Sequence, residues 1–156
     1  MVKYIILIPG ANPETAKLLF SQIKENLKSK NYSFVQLDSA DEQNLVKKAA
    51  NVQHKIIIGK SLGGRIALDY QLEYKNAEAL ILLSPAAEAI DEFREIEIPI
   101  LLIHGTKDLV ISIENSRELK TYLRNSKLIE IENADHSYRG KEKETAEIVA
   151  NWILSL

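Results

Sequence analysis

The segment from Lys55 to Gly64 sets the tightest limit on the fold, because an apolar β-branched run, Ile56-Ile57-Ile58, passes without a break into Gly59-Lys60-Ser61-Leu62-Gly63-Gly64. The run reads as a buried strand, and a helical pattern follows it, with Ile66, Ala67, Tyr70 and Tyr74 at helical spacing. A G-x-S-x-G pattern at such a junction is a nucleophile elbow, where a sharp turn lifts a serine hydroxyl above the sheet. Gly59 and Gly63 are needed because strand and helix approach too closely there for side chains. Ser61 then sits at a helix N-terminus, whose free N–H groups stabilise a developing negative charge. The letters Gly-Lys-Ser also end a phosphate-binding P-loop, but that loop requires another glycine where this chain has His54.

The rest of the chain repeats the alternation of strand and helix. Tyr4 to Ile8 is an apolar run ended by Pro9-Gly10, and Asn12-Pro13-Glu14 opens a helix with Asn12 as the expected capping side chain. Ala16, Leu19, Phe20, Ile23 and Leu27 then recur at helical spacing. Ser33 to Leu37 is a strand interrupted by Gln36, followed by a short helix carrying Leu45, Val46, Ala49 and Ala50. Ala79 to Leu83 and Ile98 to Ile103 are further unbroken runs, halted at Ser84-Pro85 and His104-Gly105. Ser112 caps a helix with Leu119, Tyr122 and Leu123; Lys127 to Glu132 alternates; a last helix docks Ile148, Val149, Trp152 and Ile153.

Strands separated by helices imply β-α-β units and a mainly parallel sheet with right-handed crossovers, an α/β three-layer architecture. Continuous apolar strands belong in the centre and interrupted ones at the edges. The expected order of the six strands is therefore two, one, three, four, five, six. Ligands bind beyond the carboxyl ends of the strands where that order changes direction, beside the strand that carries Ser61.

A chain of 156 residues reads as a single domain over 1–156, large enough for a real core. Its formal net charge of -2 supplies no electrostatic footprint for nucleic acid or an anionic membrane. It has no cysteine, which excludes disulfides, thiolate metal sites and cysteine catalysis. Met1 runs directly into Val2-Lys3-Tyr4 and a strand, and no apolar run approaches a membrane span, so a cytoplasmic location is expected. Nothing in the pattern calls for a cofactor or a metal.

A serine hydroxyl becomes a nucleophile only when a base removes its proton, and a carboxylate must hold that base in the right tautomer. Of the three histidines, His54 precedes its strand at the wrong end of the sheet. His104 closes a strand and suits a packed, hydrogen-bonded role. His136, in the loop Asn133-Ala134-Asp135-His136-Ser137, is the expected base, since loops on a rigid sheet supply catalytic groups. For the acid, Asp108 gives the chain order serine, acid, histidine. Asp135 is the alternative, although adjacent residues rarely face each other and it better suits shaping the loop. The oxyanion donors are expected at the N–H of Leu62 and within Gly10-Ala11-Asn12, where Ala11 is preferred.

Together these residues resemble a minimal α/β-hydrolase, similar to the small cap-less serine hydrolases of the dienelactone-hydrolase and carboxylesterase kind. The resemblance runs from Ile5-Ile6-Leu7-Ile8-Pro9-Gly10 through the elbow and His104-Gly105-Thr106-Lys107-Asp108-Leu109-Val110 to Asp135-His136. It implies Ser61 as nucleophile, Asp108 as acid and His136 as base, with His104-Gly105 a structural part of the acid's motif. The chain departs from that family in opening on the oxyanion-loop strand, in carrying Pro9-Gly10 where the family has His-Gly, and in leaving only Ser84 to Pro99 for a cover over the site.

The expected function is hydrolysis of small acyl esters through an acyl-enzyme. The alternatives are a thioesterase or acyl transferase on the same residues, or a catalytically silent binding protein that keeps the fold. Ala86, Ala87, Ile90 and Phe93, with Val110 and Tyr138, either wall an acyl pocket or pack in the core. The expected partner is a small-molecule ester, with a homodimer through an exposed sheet edge as a further possibility.

Overall fold

The apolar runs pair side by side and in parallel. Ile5 lies opposite Ile56, and Ile56 opposite Ala79, so the buried runs form the middle of one sheet. The structure is a computed structural model that describes residues 2–156. Its strands are β1 (Lys3–Ile8), β2 (Tyr32–Gln36), β3 (Lys55–Lys60), β4 (Ala77–Leu83), β5 (Ile100–Gly105) and β6 (Ser126–Ile131). They form a six-stranded sheet in the order β2-β1-β3-β4-β5-β6, with every pair parallel. The interrupted strands β2 and β6 lie at the edges, as their polar residues require. Strand β5 begins at Ile100, within the apolar run from Ile98 and just after Pro99, which has no N–H to give to a ladder, so Ile100 to Ile103 is the central strand expected.

The helices are α1 (Lys17–Leu27), α2 (Glu42–Ala49), α3 (Leu62–Tyr74), α4 (Ile113–Tyr122) and α5 (Glu142–Leu154). Successive residues of a strand face opposite sides, so the sheet sorts its partners by parity. Ile5, Leu7, Ile56 and Ile58 pack against Leu19, Phe20 and Ile23 of α1 and Val149 and Ile153 of α5. Ile6, Ile8 and Ile57 face the other way, onto Leu45 of α2, Ile66, Ala67 and Tyr70 of α3, and Leu119 of α4. The result is three layers, α/β/α. Among the described residues no helix is long and apolar enough to cross a membrane.

The helix starts divide between expectation and correction. Ser112 Oγ accepts from the Glu114 N–H at 3.3 Å, as a cap should. Asn12 does not cap with its side chain. Pro13–Ala16 is a 3₁₀ turn, and the Asn12 carbonyl accepts both the N–H and the hydroxyl of Thr15, at 3.2 and 2.9 Å. The segment from Ser84 to Pro99 holds one short 3₁₀ helix, Asp91–Glu95, and this is the only cover among the described residues of that stretch.

Candidate active site

Ser61 joins β3 to α3 with φ 54 and ψ −119, a left-handed conformation that costs a non-glycine residue of order 1–3 kcal/mol. The surrounding contacts impose it. The Ser61 N–H donates to the Leu83 carbonyl at 2.9 Å, and the Ser61 carbonyl accepts from the N–H groups of Gly64 and Ala86, each at 2.9 Å. A Cβ on Gly63 would lie 2.3 Å from the Ile8 carbonyl oxygen, and one on Gly59 would lie 2.2 Å from the Gly63 carbonyl oxygen. Only glycines let helix, strand and the loop after β1 meet at this point.

His136 reaches Ser61 from the loop after β6. Its Nε2 lies 3.1 Å from Ser61 Oγ, and its Nδ1 lies 2.7 Å from Asp108 Oδ2. An ionised carboxylate only accepts, so Nδ1 carries the proton and Nε2 of the neutral ring is free to accept the serine proton. The loop is held against β5 at Gly105, where a Cβ would lie 2.3 Å from the Ala134 carbonyl oxygen, and the Lys107 N–H donates to that same carbonyl at 3.0 Å.

Asp108 is buried, and every face of its carboxylate is occupied. Oδ1 accepts the N–H groups of Val110 and Ile111 at 2.9 and 2.8 Å, and Oδ2 faces His136 and, at 3.2 Å, Nε2 of His104. Burial by itself pushes its pKa up; hydrogen bonds from His104, His136 and the Ile111 and Val110 N–H groups outweigh that and hold it well below the usual carboxylate range. His104 is itself fully buried, donating from Nε2 to the Ile111 carbonyl at 2.9 Å, with Nδ1 2.7 Å from Ser116 Oγ. Asp135 faces neither imidazole nitrogen of His136. Its Oδ1 accepts from the Ser137 and Arg139 N–H groups at 2.9 and 3.2 Å and shapes the loop.

Leu62 is the first residue of α3, so its N–H has no carbonyl a turn earlier to bond within the helix. The loop carrying Ala11 passes close to the serine, since a Cβ on the preceding Gly10 would lie 3.7 Å from Ser61 Oγ. Lys60, directly before Ser61, is only 1 % exposed; burial lowers its pKa, and the charges of Asp108 and Asp135 act in the opposite direction.

An open cavity of about 550 Å³ is lined by Ala86, Ala87, Ile90 and Phe93; Ser61, Asp108 and His136 are not in its wall, which borders them through Ala86, whose N–H donates to the Ser61 carbonyl, and Ile111, whose N–H donates to Asp108. Sequence reasoning missed the remainder of its wall: Arg65, Asp69, Glu88, Ile111 and Asn115. Arg65 and Asp69 follow Ser61 at helical spacing, which is the signal that places them on the same side of α3. Arg65 Nε stands 3.7 Å from Asp69 Oδ2; burial raises the Asp69 pKa, and Arg65 opposes that rise. Of the residues left open between pocket wall and core, two do not line the cavity. Val110 is 71 % exposed and outside the lining, because its backbone is turned to Asp108; its neighbour Ile111 lines the cavity instead. Tyr138 is fully buried, packed in the core beneath α1 and α5.

The family model described as "Alpha/beta hydrolase family" matches residues 4–145. No match was found among curated proteins. Among solved structures, a protein from Thermoplasma acidophilum described as a predicted CIB-like hydrolase superposes with a TM-score of 0.84 at 22% identity, covering 99% of this chain and 87% of that one. Est1E from Butyrivibrio proteoclasticus gives a TM-score of 0.85 at 18% identity, over 99% of this chain and 88% of that one. The esterase domain of a Rhodothermus marinus protein gives 0.82 at 18% identity, over 96% and 85%. At these identities the solved structures are similar in fold.

Proposed function

The chain belongs to the alpha/beta hydrolase family, and from that premise we propose that it is a serine hydrolase that cleaves small acyl esters. One observation carries the reading: His136 stands between Ser61 Oγ at 3.1 Å and Asp108 Oδ2 at 2.7 Å. In this reading Ser61 Oγ attacks the ester carbonyl carbon while His136 Nε2 takes its proton. Asp108 keeps the imidazole in the reactive tautomer and stabilises the imidazolium. The N–H groups of Leu62 and Ala11 receive the negative charge on the former carbonyl oxygen, each such donor contributing about 3 kcal/mol in the transition state. The tetrahedral intermediate collapses, His136 returns the proton to the departing alkoxide, and an acyl-Ser61 ester remains. Water, deprotonated by His136, then releases the carboxylic acid and restores the serine.

The shape of the site supports small, accessible esters. The 3₁₀ helix Asp91–Glu95 is short, and the cavity that borders the cluster at Ala86 and Ile111 is open. Ala86, Ala87, Ile90 and Phe93 supply its apolar part, while Arg65, Asp69 and Glu88 make its rim polar. A long acyl chain would leave most of its surface in water, so the reading favours short acyl groups.

Stopped-flow hydrolysis of p-nitrophenyl acetate tests the proposal. An acyl-enzyme predicts a burst of nitrophenolate close to one equivalent per chain, followed by slower turnover, and rates that fall as the acyl chain lengthens. A folded protein with no burst and no turnover on any ester of a graded series would contradict it. Adding a competing alcohol or thiol to the same assay separates hydrolysis from acyl transfer by the product formed.

A further inference from the structure

Three buried hydrogen bonds meet at the carboxyl ends of β4 and β5. The Ile103 carbonyl accepts the Ser84 N–H at 2.8 Å and the Tyr138 hydroxyl at 3.0 Å. A phenol has one proton to donate, so at the 2.6 Å contact between Ser84 Oγ and Tyr138 Oη the serine is the donor. Burial pushes the Tyr138 phenol above its ordinary value, with the Ser84 hydrogen bond opposing, so it keeps its proton and remains a donor at neutral pH. Both residues are 0 % exposed, and both are held in the left-handed region, with φ 60 at Tyr138 and 47 at Ser84. Neither conformation is favourable for an L-residue; at Ser84 it goes with the N–H bond to Ile103, and at Tyr138 with the N–H bond to Asp135 and the carbonyl bond from the Lys141 N–H at 2.9 Å.

The position of this junction matters more than its strength. Tyr138 closes a turn on the Asp135 carbonyl at 3.2 Å, and the residues inside that turn are His136 and Ser137. Leu83, directly before Ser84, is the residue whose carbonyl holds the Ser61 N–H. His104, directly after Ile103, is the residue whose Nε2 faces Asp108. One buried junction is thus tied to Ser61, Asp108 and His136 alike.

We propose that Tyr138 and Ser84 are positioning residues, a buried hydroxyl clamp that fixes the His136 imidazole relative to Ser61. The clamp rests on the reading of His136 as the general base. A phenylalanine ring would fill the core as well as tyrosine does. The hydroxyl is needed because it registers the His136 turn against the strand ends, and a misplacement of about 1 Å at a reacting group can cost about 10²-fold in rate.

The test uses Tyr138→Phe, Ser84→Ala and the double variant of the full chain, assayed with p-nitrophenyl acetate well below their melting temperatures. The second readout is the low-field proton resonance of His136 Nδ1–H, assigned by its loss in His136→Ala. The clamp predicts a 10- to 100-fold fall in kcat for each single variant, KM within about twofold of wild type, no further fall in the double variant, and a shifted or broadened imidazole proton. Wild-type kcat with an unchanged resonance would overturn it, as would a loss carried by KM. If Tyr138→Phe does not fold, Ser84→Ala, which removes one hydroxyl and no ring, decides by the same outcomes. Wild-type protein that neither turns over nor bursts would refute the hydrolase reading, while the resonance still tests the clamp on its own.

Discussion

His104 and Asp108, four residues apart, face each other in the core, with Nε2 of one 3.2 Å from Oδ2 of the other and both side chains fully buried. A carboxylate in that position would be costly if it depended on His136 alone. With one donor from His136, two backbone N–H groups and a weaker branch from the His104 Nε2–H that it shares with the Ile111 carbonyl, it remains ionised and fixed. Asp108, and not Asp135, is the carboxylate that meets His136, which is the ground for proposing it as the acid.

Asp108→Asn should lower kcat by about 10⁴-fold, because an amide no longer favours the tautomer that leaves Nε2 free. Asp135→Asn should cost less than about tenfold, since its side-chain oxygen can still accept from Ser137 and Arg139. Steady-state kinetics on the two variants checks this, and the reverse ranking would reassign the acid.

Ser61→Ala and His136→Ala should each lose about five to six orders of magnitude in kcat, and the double variant should lose no more than either alone. Groups that act as one unit are not additive. A double variant slower by the product of the two losses would show that they act independently.

The depressed Asp108 pKa also predicts how stability depends on pH. A carboxyl whose folded pKa lies below its unfolded value of about 3.9 contributes stability that is fully present above that value and lost as pH falls toward the folded one. Urea unfolding between roughly pH 6 and pH 2 should therefore show a steeper acid-side loss in the wild type than in Asp108→Asn. Equal slopes would contradict the ionised, hydrogen-bonded assignment.

Gly105→Ala tests how closely the loop must sit. The new methyl would meet the Ala134 carbonyl oxygen, which cannot retreat without moving the loop that holds His136. A fall in kcat of about 10²-fold is expected, with circular dichroism still showing the α/β fold. Wild-type turnover would mean that the loop position is less exacting than the contact implies.

The parts of this molecule that were readable in the sequence are those set by local pattern. The elbow depends on glycine spacing around one serine, and the strand order follows from which runs are unbroken. Of the histidines, only His136 lies in a loop after a strand, and in the structure it does meet Ser61. Tyr138 was not readable, because an aromatic residue near a proposed base looks the same whether it lines a pocket or fills a core. Its position depends on Ser84 and Ile103, which are distant in the chain. Arg65, Asp69 and Glu88 look like the solvated face of any helix or loop until the tertiary fold places them around one cavity. Asn12 failed as a cap because Thr15 drew the chain into a tighter turn.

The most direct measurement is mass spectrometry of the intact chain after treatment with a fluorophosphonate, followed by peptide mapping. One phosphonyl adduct per chain is expected, located at Ser61, formed rapidly in the wild type and abolished or slowed by several orders of magnitude in His136→Ala. A folded wild-type chain that takes up no adduct at Ser61, or labels equally fast without His136, would contradict the serine hydrolase reading.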